Sequence, residues 1–132
     1  MPHFHVEYSG NLADCVDMDG LCECIRATAA GIDTFPMPGI RVRATRVDHY
    51  AIADGNPAHG FIDISIRLRG GRPEDVKRDA TQQIFEALKA YLAPAFAQHS
   101  IALSLEMRDI DPDLSPKTGT IRDHLAATTQ ET

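Results

Sequence analysis

Pro2-His3-Phe4-His5-Val6-Glu7-Tyr8 is the stretch from which the rest of the chain can be read. Phe4, Val6 and Tyr8 fall on one side of an alternating pattern, and His3, His5 and Glu7 on the other. That is the signature of a half-buried strand. Within a strand, proline fits at the first position, where its missing N–H breaks no ladder bond. Ser9-Gly10-Asn11 ends the run. Loss of Met1 would leave Pro2 at the N-terminus with a secondary amine, the only one this chain can present. The remaining sequence then reads as a scaffold that buries the strand and gathers cations around its beginning.

Working outward, residues 19–31 (DGLCECIRATAAG) predict a helix. Leu21, Ile25 and Thr28 or Ala29 keep helical spacing, Asp17 or Asp19 can cap the start, and Gly31 can close the end. Phe35-Pro36-Met37-Pro38-Gly39 is a rigid loop. Residues 40–48 (IRVRATRVD) alternate again, with Arg41, Arg43 and Thr45 opposite Ile40, Val42 and Ala44. Ala53-Asp54-Gly55-Asn56-Pro57 is a turn. Residues 61–69 (FIDISIRLR) form the clearest strand: Ile62, Ile64, Ile66 and Leu68 share one face. Gly70-Gly71 breaks it, and Pro73, Glu74 and Asp75 open a second helix, with Pro73 at the first helical position. Its stripe is Val76, Ala80, Ile84, Leu88 and Leu92, and Pro94 is expected to kink or end it. Residues 101–107 (IALSLEM) are a last strand. A short helix is expected at 120–127 in an otherwise polar tail.

The order is β-α-β, then β-α-β, then a tail. The expected fold class is α+β: a duplicated β-α-β, with a four-stranded mixed sheet and two helices on one face. Residues 1–132 form a single domain, with 1–56 as the first unit, 57–110 as the second and 111–132 as the C-terminal tail. The second sheet face, where Arg and His are interspersed, calls for cover by association into an oligomer.

Composition limits the function classes. The 132 residues are 43% apolar and 24% charged, with no Trp, which suits one soluble domain with a real core. No apolar run approaches the roughly 20 residues of a membrane span. The N-terminus lacks a basic region followed by an apolar run, so the expected address is cytoplasmic. A net charge of −6 disfavours nucleic acid. A small anionic ligand would require positive charge collected locally. Cys15, Cys22 and Cys24 match no zinc spacing and read as reduced, partly buried thiols. His3 and His5 share a strand face but have no carboxylate or cysteine pair beside them in sequence to complete a metal set.

Several patches together resemble the 5-carboxymethyl-2-hydroxymuconate Δ-isomerases of the tautomerase superfamily. They are Pro2, His3, Phe4, Val6, Glu7 and Ser9; Phe35-Pro36 with Gly39-Ile40-Arg41 and Arg43; Val47-Asp48; Ala53-Asp54-Gly55; Gly71-Arg72; and Pro112, Leu114 and Lys117. The matches run from residue 2 to about residue 117. The resemblance implies a homotrimer with sites near subunit boundaries, no cofactor and no metal. It also implies a Pro2 amine acting as general base, and a role in breaking down ring-cleaved homoprotocatechuate derived from 4-hydroxyphenylacetate. The substrate would be a carboxylate-rich dienol isomerised to its oxo form.

Elementary chemistry is compatible with those roles. A free α-amine titrates at about 7.7–8, so only roughly 10–15% is neutral at pH 7. Burial and neighbouring guanidinium charge both lower that value. Arg41 is the second catalytic candidate, since a planar guanidinium suits a carboxylate or a developing oxyanion. Arg43, Arg72, Lys117 and Phe35 are the substrate-binding candidates. Arg43 lies on the same strand face as Arg41, and Arg72 precedes a helix N-terminus that favours anions. Taken singly, Arg43, Arg67 and Arg69 also read as solvated ion-pair partners. His5 stands where the resemblance leads one to expect an aliphatic residue. Two alternatives stay open: another Pro-dependent reaction (hydration, dehalogenation or decarboxylation), and a non-catalytic trimeric binding protein.

Overall fold

The structure, a computed structural model, describes residues 1–125. Four strands, β1 (His3–Ser9), β2 (Arg41–Val47), β3 (His59–Arg69) and β4 (Ser100–Ile110), form one sheet in the order β2-β1-β3-β4. β1 pairs parallel with β2, and β3 parallel with β4, while β1 and β3 join the halves antiparallel. Each parallel pair is bridged by a helix, α1 (Met18–Ala30) or α2 (Glu74–Gln98). This is the expected α+β architecture.

The alternation seen in the sequence becomes the core. Phe4, Val6, Ile62, Ile64, Ile66 and Leu68 are fully buried against Leu21, Ile25 and Ala29 of α1 and Ala80, Ile84, Leu88 and Leu92 of α2. Burying each large side chain contributes about 1.5–3 kcal/mol, so this layer dominates the fold's stability. The helices also touch directly: the Tyr91 hydroxyl donates to the Asp17 carbonyl at 2.9 Å. Asp17 caps α1 by accepting from the Gly20 N–H at 3.1 Å. Ser9, the one fully buried polar side chain among the described residues, accepts from the Phe61 N–H and donates to Asn11. It ties the end of β1 to the start of β3. The three cysteines are free, half-buried thiols, as expected.

Three expectations need correcting, and the two outcomes expected at Pro94 are narrowed to one. Pro73 is the N-cap of α2, not its first helical residue. Val76 stands 38% exposed, because the stripe meets the sheet only from Ala80 onward. Pro94 lies inside α2 without ending it. It forgoes one ladder bond, at a cost of about 3 kcal/mol, while Leu92, Ala95 and Phe96 on either side hold the last turns on the core. The tail forms a 3-10 turn over Ile121–His124, and residues 126–127 of the expected helix lie outside the described residues. β4 also runs to Ile110, three residues past the apolar alternation, because β3 pairs with it over its whole length.

The outer sheet face carries polar rows set by register. Arg41, His3, Arg67 and Arg108 lie side by side, followed by Arg43, His5, Ser65 and Glu106, then Thr45, Glu7, Asp63 and Ser104. Positive charge therefore collects at the end of the sheet where β1 begins.

Candidate active site

Parallel pairing of β1 with β2 brings the two ends of the chief sequence motif together. The Arg41 N–H donates to the Pro2 carbonyl at 3.1 Å, and Pro2 is buried. Behind its ring lies Gly39, in a 3-10 turn over Met37–Gly39 shaped by Pro36 and Pro38. The Arg41 guanidinium donates to the Gly39 carbonyl at 3.0 Å and reaches the Met1 sulfur at 3.6 Å. Its backbone anchors it on one side, and its guanidinium faces the N-terminus on the other.

Two cavities meet here. One, of about 490 Å³, is lined by Met1, His3, Arg41, Arg67, Arg69, Ile110, Pro112, Ser115, Pro116 and Lys117. The other, of about 310 Å³, is lined by Met1, Pro38, Gly39, Arg41, Lys117, Thr118, Gly119, Ile121 and Arg122. Met1, Arg41 and Lys117 belong to both. No Asp or Glu lines either cavity among the described residues, although acidic residues outnumber Lys and Arg by 19 to 13 in the chain. Such a site suits a small polyanion.

The local field acts on the terminal amine. Burial holds the Met1 amine below its ordinary value, and so do Lys117, by charge and hydrogen bond, Arg72 and Arg41. The same environment lowers His3, chiefly through burial and then through Arg67, Arg43 and Arg41. His3 thus stays neutral more readily than a free histidine, and does not add to the positive charge at neutral pH.

The structure sorts the candidates named from the sequence. Arg41 and Lys117 converge with Met1 at both cavities, and Pro2 lies one residue inward, its carbonyl bonded to the Arg41 N–H. Lys117 arrives from the tail, after the 3-10 turn over Pro112–Leu114. Arg72 borders neither cavity. The chain bends at Gly71, whose φ of +114° favours glycine. Arg72 then donates to the Arg69 carbonyl at 3.0 Å, with its charge still felt at the amine. Arg43 is not at the cavities: its guanidinium lies 3.2 Å from His3 Nδ1, one row further along the sheet. Phe35 is not there either. It is 2% exposed and packs edge-on against Phe4 at 5.1 Å, as a core residue. Its margin borders a separate cavity of about 730 Å³, where Asp33 and Asp123 accompany Arg122. Those two acids make it a poor site for a polyanion.

Arg67 and Arg69 are the additions. Their two-residue spacing in FIDISIRLR was visible as a shared face, but only the antiparallel register puts Arg67 beside His3. The Ala53-Asp54-Gly55 turn lies at the opposite end of the sheet, since Val47 pairs with Ser9 where Arg41 pairs with His3. Asp54 holds that turn by accepting from the Asn56 N–H at 3.1 Å, and it pairs with His59 at 2.8 Å. Among the described residues there is no group of three His, Cys, Asp or Glu side chains placed to hold a metal ion. No helix there is long and apolar enough to cross a membrane.

Comparison with known proteins places the chain in a family. A family model described as 5-carboxymethyl-2-hydroxymuconate isomerase matches residues 2–125. The 5-carboxymethyl-2-hydroxymuconate Delta-isomerase of Escherichia coli is 31% identical over 121 residues, covering 92% of this chain and 96% of that one. A crystal structure of 5-carboxymethyl-2-hydroxymuconate delta-isomerase superposes with a TM-score of 0.86 at 32% identity, covering 94% of this chain and 92% of the other. The corresponding isomerase of Deinococcus radiodurans R1 gives 0.84 at 31% identity, with 93% and 92% covered.

Proposed function

The chain belongs to the 5-carboxymethyl-2-hydroxymuconate isomerase family, and from that premise we propose the following chemistry for it. It is an isomerase that converts a 5-carboxymethyl-2-hydroxymuconate-type dienol into its oxo isomer. The amine of Pro2, freed by loss of Met1, is the base. The observation that carries this reading is the position of Pro2, buried directly behind Met1, which borders two cavities that share Arg41 and Lys117 and are lined by no acid among the described residues.

The reaction needs no net change in atoms or electrons. The Pro2 nitrogen takes the proton of the 2-hydroxyl group. The O–H pair becomes part of the new C=O bond, the diene electrons shift along the chain, and one diene carbon takes a proton back from the same nitrogen. A single base of suitable pKa serves both steps. The intermediate carries an extra negative charge beside carboxylates, and Arg41 is placed to stabilise it with a fixed guanidinium. The pyrrolidine ring, held on Gly39, keeps the nitrogen in position between the two transfers. Met1 borders both cavities, so its loss both creates the base and joins the space around it.

The same reading implies a cytoplasmic homotrimer whose copies cover the polar outer sheet face, and a place in the catabolism of 4-hydroxyphenylacetate through homoprotocatechuate. The test is intact mass together with a spectrophotometric assay on 5-carboxymethyl-2-hydroxymuconate and 2-hydroxymuconate. Loss of one methionine and turnover of both, with the carboxymethyl compound preferred, is the expected result. Mature protein without turnover overturns the isomerase reading, and turnover with Met1 retained overturns Pro2 as the base.

A further inference from the structure

Five cations elsewhere on the described surface lie against acids. Arg26 pairs with Glu23, Arg46 with Asp48, Lys77 with Glu74 and Asp109, Lys89 with Glu86, and Arg108 with Glu106. Arg67 and Arg69 are different. Both line the 490 Å³ cavity, and neither guanidinium makes a hydrogen bond or ion pair with another described residue. They sit two apart on β3, hence on one face. Arg67 lies opposite His3, and Arg69 opposite Ile110, which also lines the cavity. In a chain of net charge −6, two arginines with no acidic partner among the described residues, in a cavity that no described acid lines, are placed to meet a negative group from outside.

We propose that Arg67 and Arg69 form the wall that receives a third carboxylate, and so determine the preference for a tricarboxylate over a dicarboxylate. This rests on the isomerase reading above. A muconate skeleton has two carboxylates, and the carboxymethyl substituent adds a third. Arg41 and Lys117 border both cavities and stand beside the reacting centre. Arg67 and Arg69 border only the larger of the two. A guanidinium fork binds a carboxylate through paired N–H donors. Both residues are exposed, so water screens the gain. The expected effect per arginine is about five- to tenfold in preference.

The experiment uses mature full-length protein with R67Q, R69Q and the double substitution, and reads the ratio of kcat/KM for 5-carboxymethyl-2-hydroxymuconate to that for 2-hydroxymuconate. The ratio is expected to fall about five- to tenfold for each single variant and further in the double. R108Q is the control. It lies in the same register row but is paired with Glu106 outside the cavity, and should leave the ratio in place. An unmoved ratio in R67Q and R69Q overturns the assignment, as does an equal shift in R108Q, which would show only a general charge effect. If the wild type turns over neither compound, the isomerase reading fails separately. Binding of the unreactive pair propane-1,2,3-tricarboxylate and glutarate then decides the wall: a tricarboxylate margin lost in R67Q/R69Q supports it, and equal margins overturn it.

Discussion

Gly39 lies against the ring of Pro2. A methyl group added at position 39 would stand 3.1 Å from Pro2 Cδ and 3.3 Å from Met1 Cα. The Cδ atom is bonded to the nitrogen proposed as the base, so backbone at one end of the loop fixes the placement of chemistry at the start of a strand. This glycine is needed for close approach, not for an unusual backbone angle.

Gly39→Ala should therefore shift the Pro2 ring by a few tenths of an ångström while leaving the core intact. Small displacements of a reacting group are costly, up to about a hundredfold for 1 Å, so kcat/KM should drop about tenfold with a nearly unchanged melting temperature. Wild-type kcat/KM in the variant would show that the ring relaxes without consequence, and that the contact does not position the base.

The pH dependence should follow from the field at the N-terminus. Burial, Lys117, Arg72 and Arg41 all hold the Met1 amine below its ordinary value, and the Pro2 amine exposed by processing lies one residue deeper among the same groups. Cations disfavour the protonated amine, and only the neutral amine is a base. The rising limb of kcat/KM should thus have its midpoint below the usual α-amine value of about 8. Lys117→Met removes the strongest of the charged contributors, so the pKa rises and the limb moves to higher pH. The absolute rate also falls because a substrate contact is lost, which makes the midpoint the quantity to read. A limb that stays put or moves to lower pH would contradict the assignment.

Phe35 should behave as core. Its ring is 2% exposed and stacked edge-on to Phe4, so Phe35→Ala should cost about 3–5 kcal/mol of stability through lost burial and a residual cavity. Denaturant unfolding measures this directly. The preference between 5-carboxymethyl-2-hydroxymuconate and 2-hydroxymuconate should persist in the folded protein. A changed preference at normal stability would restore Phe35 as a substrate contact.

How much the sequence revealed depended on the range of the interaction concerned. Alternation in PHFHVEY and FIDISIRLR is a local property, and the side of each strand that faces the core follows from two-residue periodicity alone. Both β-α-β units, the inward faces of Phe4, Val6 and Ile62 through Leu68, and the Asp17 cap could be read that way. Pro94 and Val76 could not. Whether a helix survives a proline, or leaves an apolar residue in water, depends on what the neighbouring turns pack against.

For the candidate site, Pro2 and Arg41 could be proposed because a motif carries them, and Lys117 because the same resemblance extends into the tail. Arg43 and Arg67 show what was missing. Both sit on outward strand positions, both looked like solvated surface cations, and nothing in the letters separates them. Register separates them. Arg41, His3 and Arg67 share the row at the cavity, whereas Arg43 lies one row along beside His5. The sequence by itself determined which residues face out of the sheet, through local backbone geometry. Only the tertiary structure decided which of those outward cations line the cavities beside the N-terminus, because that depends on how strands distant in the chain align.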